Sequence, residues 1–359
     1  MDTTHSTTGG TSRRALLRGS AAACGLLLGG RTLVGVGSGA TGPVTAMTRN
    51  CYVGTDLFRL FESGLDLDPR RVYERYAELS ASAVETRLAA IAAEILANGP
   101  SVVGLQEVAL VRTQEPSDHA GGDPNASRVD YDFLASLEAR LGGEYHVAAS
   151  VVTADEEFPA EGEGRRLDVR LTDRDVLLVR RGVDVRATDA RRYRYRLSFR
   201  AGDGTLVTVH RGYCLARLQS GGLRFTAVNT HLEAASAVVR YLQAYELRRD
   251  LGSTGDPTIL LGDFNAPPGD ATYGLLTRSY RDAWADADSG TPGPTCCQAA
   301  DLRNEESLLS RRVDGVFYRA GDAREAARVG SRTSDRVAAG DGTRVWPSDH
   351  AGVVATLGL

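Results

Sequence analysis

The chain has 359 residues, of which 42% are hydrophobic and 25% are charged, and this composition is ordinary for a globular protein. The length allows one large domain or two average ones, with a core that does not depend on disulfides. All 42 basic residues are arginine. The lack of lysine excludes mechanisms that need a phosphate-loop lysine, a Schiff-base lysine or a lysine general base.

Charge is unevenly distributed along the chain, whose formal net charge is −4. Residues 1–46 carry one aspartate and four arginines, a net of +3, which leaves −7 for residues 47–359. An acidic body collects polyanions poorly by net charge alone. A nucleic-acid substrate is therefore disfavoured, although a metal site or a local arginine patch could offset the repulsion.

The N-terminal segment has the pattern of an export signal. The sequence from Ser12 to Arg18 contains the pair Arg13-Arg14 and resembles a twin-arginine signal. An apolar stretch over 21–28 follows, and it is too short for a membrane span, which needs roughly 20 residues. Val44-Thr45-Ala46 has the small-x-small form of a cleavage site. We therefore expect a signal peptide over 1–46, an exported mature protein over 47–359 and no stable membrane span.

Four cysteines follow the signal: Cys51, Cys214, Cys296 and Cys297. An extracytoplasmic location permits disulfides. Sequence neighbours pair with each other only with strain, so a bridge from Cys296 or Cys297 to Cys214 or Cys51 is favoured, and the spacing does not choose between them. The cysteines lack the paired spacing of a zinc site.

Apolar periodicity predicts, in chain order, a strand over 44–52, a helix over 70–98, a strand over 101–108 and a helix over 131–141. Further strands are predicted at 145–153, 175–179, 192–199, 205–218 and 223–231, then a helix at 234–251 and strands at 257–261, 313–318 and 352–357. Polar loops are expected over 113–129 and 154–166. This mixture of hairpins and helices predicts an α/β fold in one domain, with two mixed β-sheets packed face to face and helices outside.

Polar side chains follow or precede these apolar strands in six places. Taken singly, each has a structural explanation; Asp263 and Asn265, for example, could form a turn before Pro267-Pro268. Taken together and in this order, acids, amides and imidazoles at strand ends predict one shared site. The segments are Thr48-Arg49-Asn50, Leu105-Gln106-Glu107, Asn229-Thr230-His231, Gly262-Asp263-Phe264-Asn265, Arg312-Val313-Asp314 and Ser348-Asp349-His350.

The order of these segments resembles the endonuclease/exonuclease/phosphatase superfamily, which includes apurinic endonucleases, pancreatic-type deoxyribonucleases, bacterial sphingomyelinases and inositol-polyphosphate phosphatases. The resemblance extends from about Val44 to Leu359, and it is most specific at 262–265 and 348–350. A stretch over 295–314 is similar to secreted bacterial and archaeal members of unknown substrate. The resemblance implies a four-layer α/β/β/α sandwich and metal-dependent hydrolysis at phosphorus.

By position, the resemblance implies that Glu107 holds a divalent ion, with Asn50 beside it and Asp349 near. Carboxylate and amide oxygens suit Mg²⁺, with Mn²⁺ or Ca²⁺ as alternatives, better than Zn²⁺. The family often has an aromatic residue where Arg49 stands, and Arg49 could face either a phosphate or solvent.

The resemblance also implies catalytic roles. Asp263 would orient or deprotonate the attacking water, and Asn265 and His231 would hold phosphate oxygens. His350 would face the phosphate and pair with Asp314.

The stretch 165–200 is rich in arginine, and Tyr193 and Tyr195 lie between some of these residues. Such a segment could track the phosphates of a nucleic acid. The more economical interpretation, which we favour, is a solvated strand face in a chain that uses arginine for every cation.

The substrate is thus expected to be a phosphodiester or phosphomonoester. A secreted nuclease acting on DNA or RNA and a sphingomyelinase-like phospholipase C are the alternatives. A binding protein that has lost catalysis is the least favoured, because all six segments retain their polar residues.

Overall fold

The structure is a computed structural model that describes residues 42–61, 67–119, 123–200, 206–252, 255–287 and 290–359. Arg13, Arg14 and the apolar stretch over 21–28 lie outside the described residues. The boundary expected at Ala46 falls inside the first strand, where Val44 and Ala46 are buried. A mature chain that retains this strand therefore starts no later than Val44.

The described residues form many strands and a few helices. The strands are β1 Val44–Asn50, β2 Val102–Gln106, β3 Leu110–Gln114, β4 Arg128–Asp132, β5 Tyr145–Gly162, β6 Arg165–Arg180, β7 Asp184–Arg192, β8 Leu197–Arg200, β9 Leu206–Val209, β10 Gly212–Ser220, β11 Leu223–His231, β12 Thr258–Asp263, β13 Arg281–Asp282, β14 Asp314–Arg319, β15 Asp322–Val329, β16 Val337–Ala338, β17 Arg344–Val345 and β18 Gly352–Gly358. The helices are α1 Pro69–Ala81, α2 Val84–Asn98, α3 Phe133–Arg140, α4 Ala237–Leu251, α5 Ala271–Leu276 and α6 Ala283–Asp286, with short 3-10 helices at Leu57–Phe61 and Thr333–Asp335.

Two large mixed sheets form the centre of the fold. The first has the order β15-β18-β1-β2-β6-β3-β4, with β5 paired to β6. In it β1 runs parallel to β2 and antiparallel to β18, with Val44 opposite Leu357. The second has the order β13-β14-β12-β11-β10-β7, in which β11 and β12 are parallel.

Apolar residues from both sheets share one core. Ala46 and Val102 from the first sheet pack in the same cluster as Ala216, Phe225 and Ile259 from the second. The sheets therefore stack face to face, as expected from strands whose two faces are both apolar.

Helices cover the outer faces of the sheets. Leu88 and Ile91 of α2 pack with Leu105 of the first sheet. Leu247 of α4 packs with Leu260 of the second sheet. These contacts complete the layers helix, sheet, sheet, helix, and the predicted α/β/β/α sandwich is confirmed. None of the helices within the described residues has the length and apolar character needed to cross a membrane.

Several predicted elements differ in their bounds. The helix expected over 70–98 is two helices, because Ala83 adopts a left-handed conformation with φ of 54° between α1 and α2. The loop expected over 154–166 is instead the tip of the long β5–β6 hairpin. Its apolar side packs under α1, with Ala160 and Leu167 against Val72. The strand expected over 192–199 is divided between the end of β7 and β8.

The cysteines also differ from expectation. Cys296 and Cys297 are joined to each other as a disulfide. Cys51 and Cys214 are buried free thiols, so the expected bridge to one of them is wrong. Both belong to apolar clusters, where each thiol fills core space.

Candidate active site

The site lies at one edge of the sandwich, where strand ends from both sheets meet. Asn50 ends β1 and Glu107 follows β2, while His231 and Asp263 end the parallel strands β11 and β12. The antiparallel neighbours begin at the same edge. Asp314 opens β14 directly opposite Asp263, and Asp349-His350 precede β18. All eight residues that the sequence singled out are linked through contacts of 4.0 Å or less among themselves.

Glu107 is held from two sides. Its Oε1 accepts a hydrogen bond from Nδ2 of Asn50 at 3.0 Å, and its Oε2 accepts one from the backbone N–H of Val53 at 3.0 Å. Glu107 has a φ of 56°, in the left-handed region that a glutamate rarely adopts. Strain of this kind is retained where the surroundings fix the residue, and it is concentrated at functional sites.

Asn50 joins Glu107 to Asp263. The same Nδ2 donates to Oδ2 of Asp263 at 3.2 Å, while the Asn50 Oδ1 accepts the N–H of Tyr52 at 2.9 Å. The amide group therefore faces the two carboxylates with its donor end.

His350 lies among carboxylates. Its Nδ1 donates to Oδ2 of Asp314 at 2.8 Å and lies 3.7 Å from Oδ2 of Asp263. Burial opposes a charge on this ring, but Asp314, Asp349 and Asp263 outweigh burial and hold the pKa of His350 well above its usual range. The carboxylates therefore favour the charged form of His350, whose Nε2 lies 4.0 Å from Oδ1 of Asp349 and 3.9 Å from Sγ of Cys297.

His231 lies beside an arginine that the sequence analysis did not single out. Nη1 of Arg211 donates to Nδ1 of His231 at 3.0 Å. Burial, the Arg211 charge and the His350 charge together hold the pKa of His231 well below its usual range. The ring is therefore neutral, and because Nδ1 accepts, the proton is on Nε2. That atom lies 3.5 Å from Oδ2 of Asp263.

Asn265 completes the turn after β12. Its backbone N–H donates to Oδ1 of Asp263 at 3.0 Å. Its Nδ2 donates to the carbonyl of Leu232 at 2.9 Å and lies 3.3 Å from Nε2 of His231. Like Glu107, it has a positive φ, here 50°, which asparagine tolerates better than most residues.

A family model decides what this constellation is. The model described as "Endonuclease/Exonuclease/phosphatase family" matches residues 50–350. The chain belongs to this family. Members of the endonuclease/exonuclease/phosphatase family are hydrolases that act on phosphate esters, and they generally depend on divalent metal ions.

Solved structures of other endonuclease/exonuclease/phosphatase proteins share the fold. A family member from Bacteroides thetaiotaomicron has a TM-score of 0.55 at 15% identity, over 88% of this chain and 97% of that one. A mannosyl-6-phosphatase from the same organism has a TM-score of 0.55 at 15% identity, over 88% and 99%. Truncated TDP2 from Caenorhabditis elegans has a TM-score of 0.50 at 16% identity, over 88% and 97%. A comparison with curated proteins gave no significant match.

The donor set of the site fits the hard divalent ion of the family. The charges of Glu107 and Asp263 act on Asp349: burial and then these two charges raise the pKa of Asp349 to about 7, although the His350 charge opposes the shift. Burial and then Asp314 raise the pKa of Asp263 as well. A cation bound here would offset this repulsion, and oxygen donors suit Mg²⁺.

Beneath the site, two amides join the sheets. Nε2 of Gln106 donates to Oδ1 of Asn229 at 2.6 Å, and Nδ2 of Asn229 donates to the carbonyl of Leu105 at 2.8 Å. Gly104 leaves room for this contact, because a Cβ there would lie 2.6 Å from the Asn229 oxygen. The side of the site that carries Glu107 and the side that carries the imidazoles are thereby fixed to each other.

Arg49 faces neither a phosphate nor solvent. It is fully buried, its Nε donates to Glu94 at 2.9 Å, and its Nη1 donates to the backbone carbonyl of His350. It anchors the segment that carries His350.

The arginine-rich stretch also has a structural explanation in part. Tyr193 is buried, and its hydroxyl contacts Thr230 at 2.7 Å. It is therefore not available to stack on a base. Arg191 pairs with Asp189 on the same strand. These contacts agree with a solvated strand face.

Proposed function

We propose that the protein is a divalent-metal-dependent phosphoesterase that hydrolyses a phosphodiester or phosphomonoester with an activated water. The observation that carries the proposal is the Asp314–His350 pair at 2.8 Å, which lies beside Asp263 and within the same constellation as Glu107. Hydrolysis at an anionic phosphorus needs a cationic donor, a base and a site for a hard divalent ion. A cationic imidazole, a buried carboxylate and such a site lie together at this edge of the sandwich.

In this proposal Glu107 holds the ion, with Asp349 near it, and Asn50 keeps Glu107 and Asp263 together. Bound there, a divalent ion such as Mg²⁺ neutralises charge on the phosphate, an effect that can be worth several kcal/mol.

Asp263 is the proposed base. Its Oδ1 is held by the N–H of Asn265 and its Oδ2 by Asn50, so the carboxylate cannot turn away from the rim. Burial raises its pKa, which makes it a better proton acceptor than a free aspartate. Water attacks phosphorus as Asp263 takes its proton.

The two imidazoles and Asn265 are the proposed ligands of the phosphate oxygens. The charged His350 ring donates its Nε2–H to the phosphate, whereas Nε2–H of His231 and the Asn265 amide are neutral donors. Charge accumulates on these oxygens in the transition state, so donors aimed at them lower the barrier more than they strengthen ground-state binding.

A small or lipid-linked phosphate ester is the proposed substrate class. The acidic charge of residues 47–359 and the burial of Tyr193 support it over a nucleic acid.

Hydrolysis of bis-p-nitrophenyl phosphate with Mg²⁺ tests the chemistry. Glu107→Gln keeps the shape and removes the charge, so turnover should fall by ~10² or more, since the ion's stabilisation is worth several kcal/mol. The matched control Glu138→Gln, on the exposed face of α3, should keep parental turnover. Full activity in excess EDTA would contradict the proposal.

A panel of substrates then identifies the ester. Plasmid DNA, RNA, sphingomyelin, phosphoinositides and a sugar phosphate should be compared by kcat/KM at one ionic strength. We expect a small or lipid-linked ester to be preferred. DNA or RNA with the highest kcat/KM would reverse the proposed substrate class and leave the chemistry intact.

We also propose that the protein is exported through the twin-arginine route, on the strength of Arg13-Arg14 in the N-terminal segment. Replacing both arginines with lysine should retain the protein in the cytoplasm, whereas Arg31→Lys should not. The exported form should begin no later than Val44, which mass spectrometry of the secreted protein would reveal. Unchanged secretion of the double variant would reject this route.

A further inference from the structure

The Cys296–Cys297 disulfide lies against the outer nitrogen of His350. Sγ of Cys297 is 3.9 Å from Nε2 of His350. The two sulfurs and one nitrogen of the His350 ring lie within 4.8 Å of one another. Two sulfurs and an imidazole nitrogen are a soft donor set, which favours Zn²⁺ or Cd²⁺ over Mg²⁺.

The backbone fixes this group of side chains. Cys296 forms single antiparallel bridges with Arg311 on one side and with His350 on the other. The N–H of Gln298 donates to the carbonyl of Asp349 at 2.8 Å. Paired backbone segments therefore hold the backbone that carries both cysteines beside the segment that carries His350.

Arg311 favours the ligand form of the two cysteines, and Asp314 determines which nitrogen of His350 is open to a metal. Nη2 of Arg311 lies 3.5 Å from Sγ of Cys296 and 3.9 Å from Sγ of Cys297, and a nearby guanidinium stabilises thiolates. Asp314 occupies Nδ1 of His350, which leaves Nε2 for a metal. A carboxylate behind the imidazole is the usual outer partner of a metal-bound histidine.

We propose that, once reduced, Cys296 and Cys297 bind a soft divalent cation, Zn²⁺ or Cd²⁺, together with Nε2 of His350. A phosphine reductant supplies the electron pair that breaks the S–S bond. The phosphine takes an oxygen from water to become its oxide, and the two sulfurs take the two protons of that water. The cation then displaces both thiol protons and the Nε2 proton of His350.

A cation bound at this site would occupy Nε2 of His350. The ring could then no longer donate a hydrogen bond to the phosphate. The soft cation should therefore inhibit the reduced protein and spare the oxidised one. The inhibition rests on the proposed function, whereas the binding does not, so the two are measured separately.

Binding is tested by titrating Cd²⁺ into the full chain in excess Mg²⁺, which occupies the hard carboxylate site. The readouts are calorimetry and the ultraviolet charge-transfer band of cadmium thiolates. The phosphine-reduced parent, freed of phosphine, should bind one equivalent and show the band. The unreduced parent and reduced Cys297→Ser should bind at least ~10-fold more weakly, because even an outer partner of a metal ligand is worth 10- to 100-fold in affinity.

Cys214→Ser is the matched control, since Cys214 is a fully buried free thiol outside this group. Reduced Cys214→Ser should bind Cd²⁺ like the reduced parent. Equal Cd²⁺ affinity in the reduced parent, the unreduced parent and Cys297→Ser would overturn the proposal, and so would loss of binding in Cys214→Ser alone.

Inhibition is measured with bis-p-nitrophenyl phosphate under the same conditions. One equivalent of Cd²⁺ should abolish turnover of the reduced parent and leave Cys297→Ser active. Absence of hydrolysis in every sample, both of this diester and of the monoester p-nitrophenyl phosphate, would reject the proposed function while the binding result still decides the site. Tight binding without inhibition would overturn the proposal that the cation takes Nε2 of His350.

Discussion

The site contains two buried histidines whose surroundings differ in sign. His350 lies among the carboxylates of Asp314, Asp349 and Asp263, and its pKa is held well above the usual range. His231 lies against Arg211, and its pKa is held well below that range. Both rings are nearly inaccessible to solvent. The difference therefore comes from the partner at Nδ1 and from the charges nearby, since burial alone would make both rings neutral.

Under the proposed function, this contrast would let one residue type supply two kinds of donor to one phosphate. An anion partner makes His350 a cation that responds to accumulating charge. A cation partner makes His231 a neutral donor with a fixed tautomer. Two cationic rings side by side would repel each other, and the His350 charge already lowers the pKa of His231. Removing the charge of either partner is the direct way to test the assignment.

The largest effect is expected for Asp314→Asn, which removes the anion partner. kcat should fall by ~10² or more, the usual contribution of a positioned proton donor, with a smaller change in KM. The pKa of His350 should fall, because a carboxylate no longer favours the charged ring. The alkaline limb of the pH–rate profile should therefore move to lower pH. Steady-state kinetics on the folded, metal-loaded variant across pH 5 to 9 measure both the fall in kcat and the shift of the alkaline limb.

The control for this prediction is Asp130→Asn. Asp130 accepts hydrogen bonds from Tyr76 and Thr113 away from the site, so its loss should reduce stability without reducing turnover per folded molecule. A kcat for Asp314→Asn within twofold of the parent, with an unmoved profile, would refute the pairing.

A smaller effect is expected for Arg211→Gln, which removes the cation partner. The pKa of His231 should rise, since one of the charges that opposed protonation is gone. Turnover should fall roughly tenfold, less than for loss of a phosphate-binding donor itself, because the ring is no longer oriented. Arg211→Lys should restore part of the activity. NMR titration of the His231 ring, together with kinetics, tests the prediction.

Arg217→Gln is the control for the same strand, because Arg217 is an exposed arginine of β10. It should change neither the His231 titration nor turnover. If the pKa of His231 is the same in Arg211→Gln as in the parent, Arg211 does not set the charge of this ring.

The smallest expected effect is on how the free energy of unfolding depends on pH. The direction of this dependence differs between the two rings. Below pH 6.5 the His231 ring takes up a proton in the unfolded chain but not in the folded one. The free energy of unfolding of the parent therefore falls as the pH falls. His231→Gln removes this loss, and its free energy of unfolding should rise relative to the parent by about 1 kcal/mol between pH 7 and pH 5.5.

The contribution of His350 to the pH dependence of stability has the opposite sign. Its raised pKa contributes stability that is fully present below the unfolded value of about 6.5 and is lost as the pH rises through the folded pKa. His350→Gln should therefore be most destabilising at acid pH. Urea denaturation in EDTA from pH 5.5 to 9 gives both curves. Parallel curves for the two variants would show that the rings do not differ in charge.

Much of this site could be predicted from the sequence, because polar residues at the ends of apolar strands must meet at a sheet edge. The role of Arg211 could not be predicted, because nothing in the local sequence marks this one arginine among 42 as the partner of His231. The break at Ala83 was equally hidden. Neither glycine nor proline stands there, and tertiary packing imposes the left-handed conformation.

Two other errors have physical causes. The stretch over 154–166 looks like a polar loop because the exposed side of the β5–β6 hairpin carries charged pairs, such as Arg170 with Asp155. Its apolar side packs against α1 and against Leu60 of the first 3-10 helix. The Cys296–Cys297 pair was dismissed from chain proximity alone, which contains no information on the backbone segments that pair with Cys296.

The pairing of β1 with β18 has a consequence for how the protein is made. Thr45 and Thr356 face each other across 311 residues of sequence, so β1 emerges from the ribosome long before its antiparallel neighbour exists. Contacts of such high separation form slowly. Asp349 and His350 enter the growing chain just before β18, which means that the nascent protein can possess nearly every strand and still be inert. The candidate site therefore stays incomplete until one of the last segments of the described sandwich has been made.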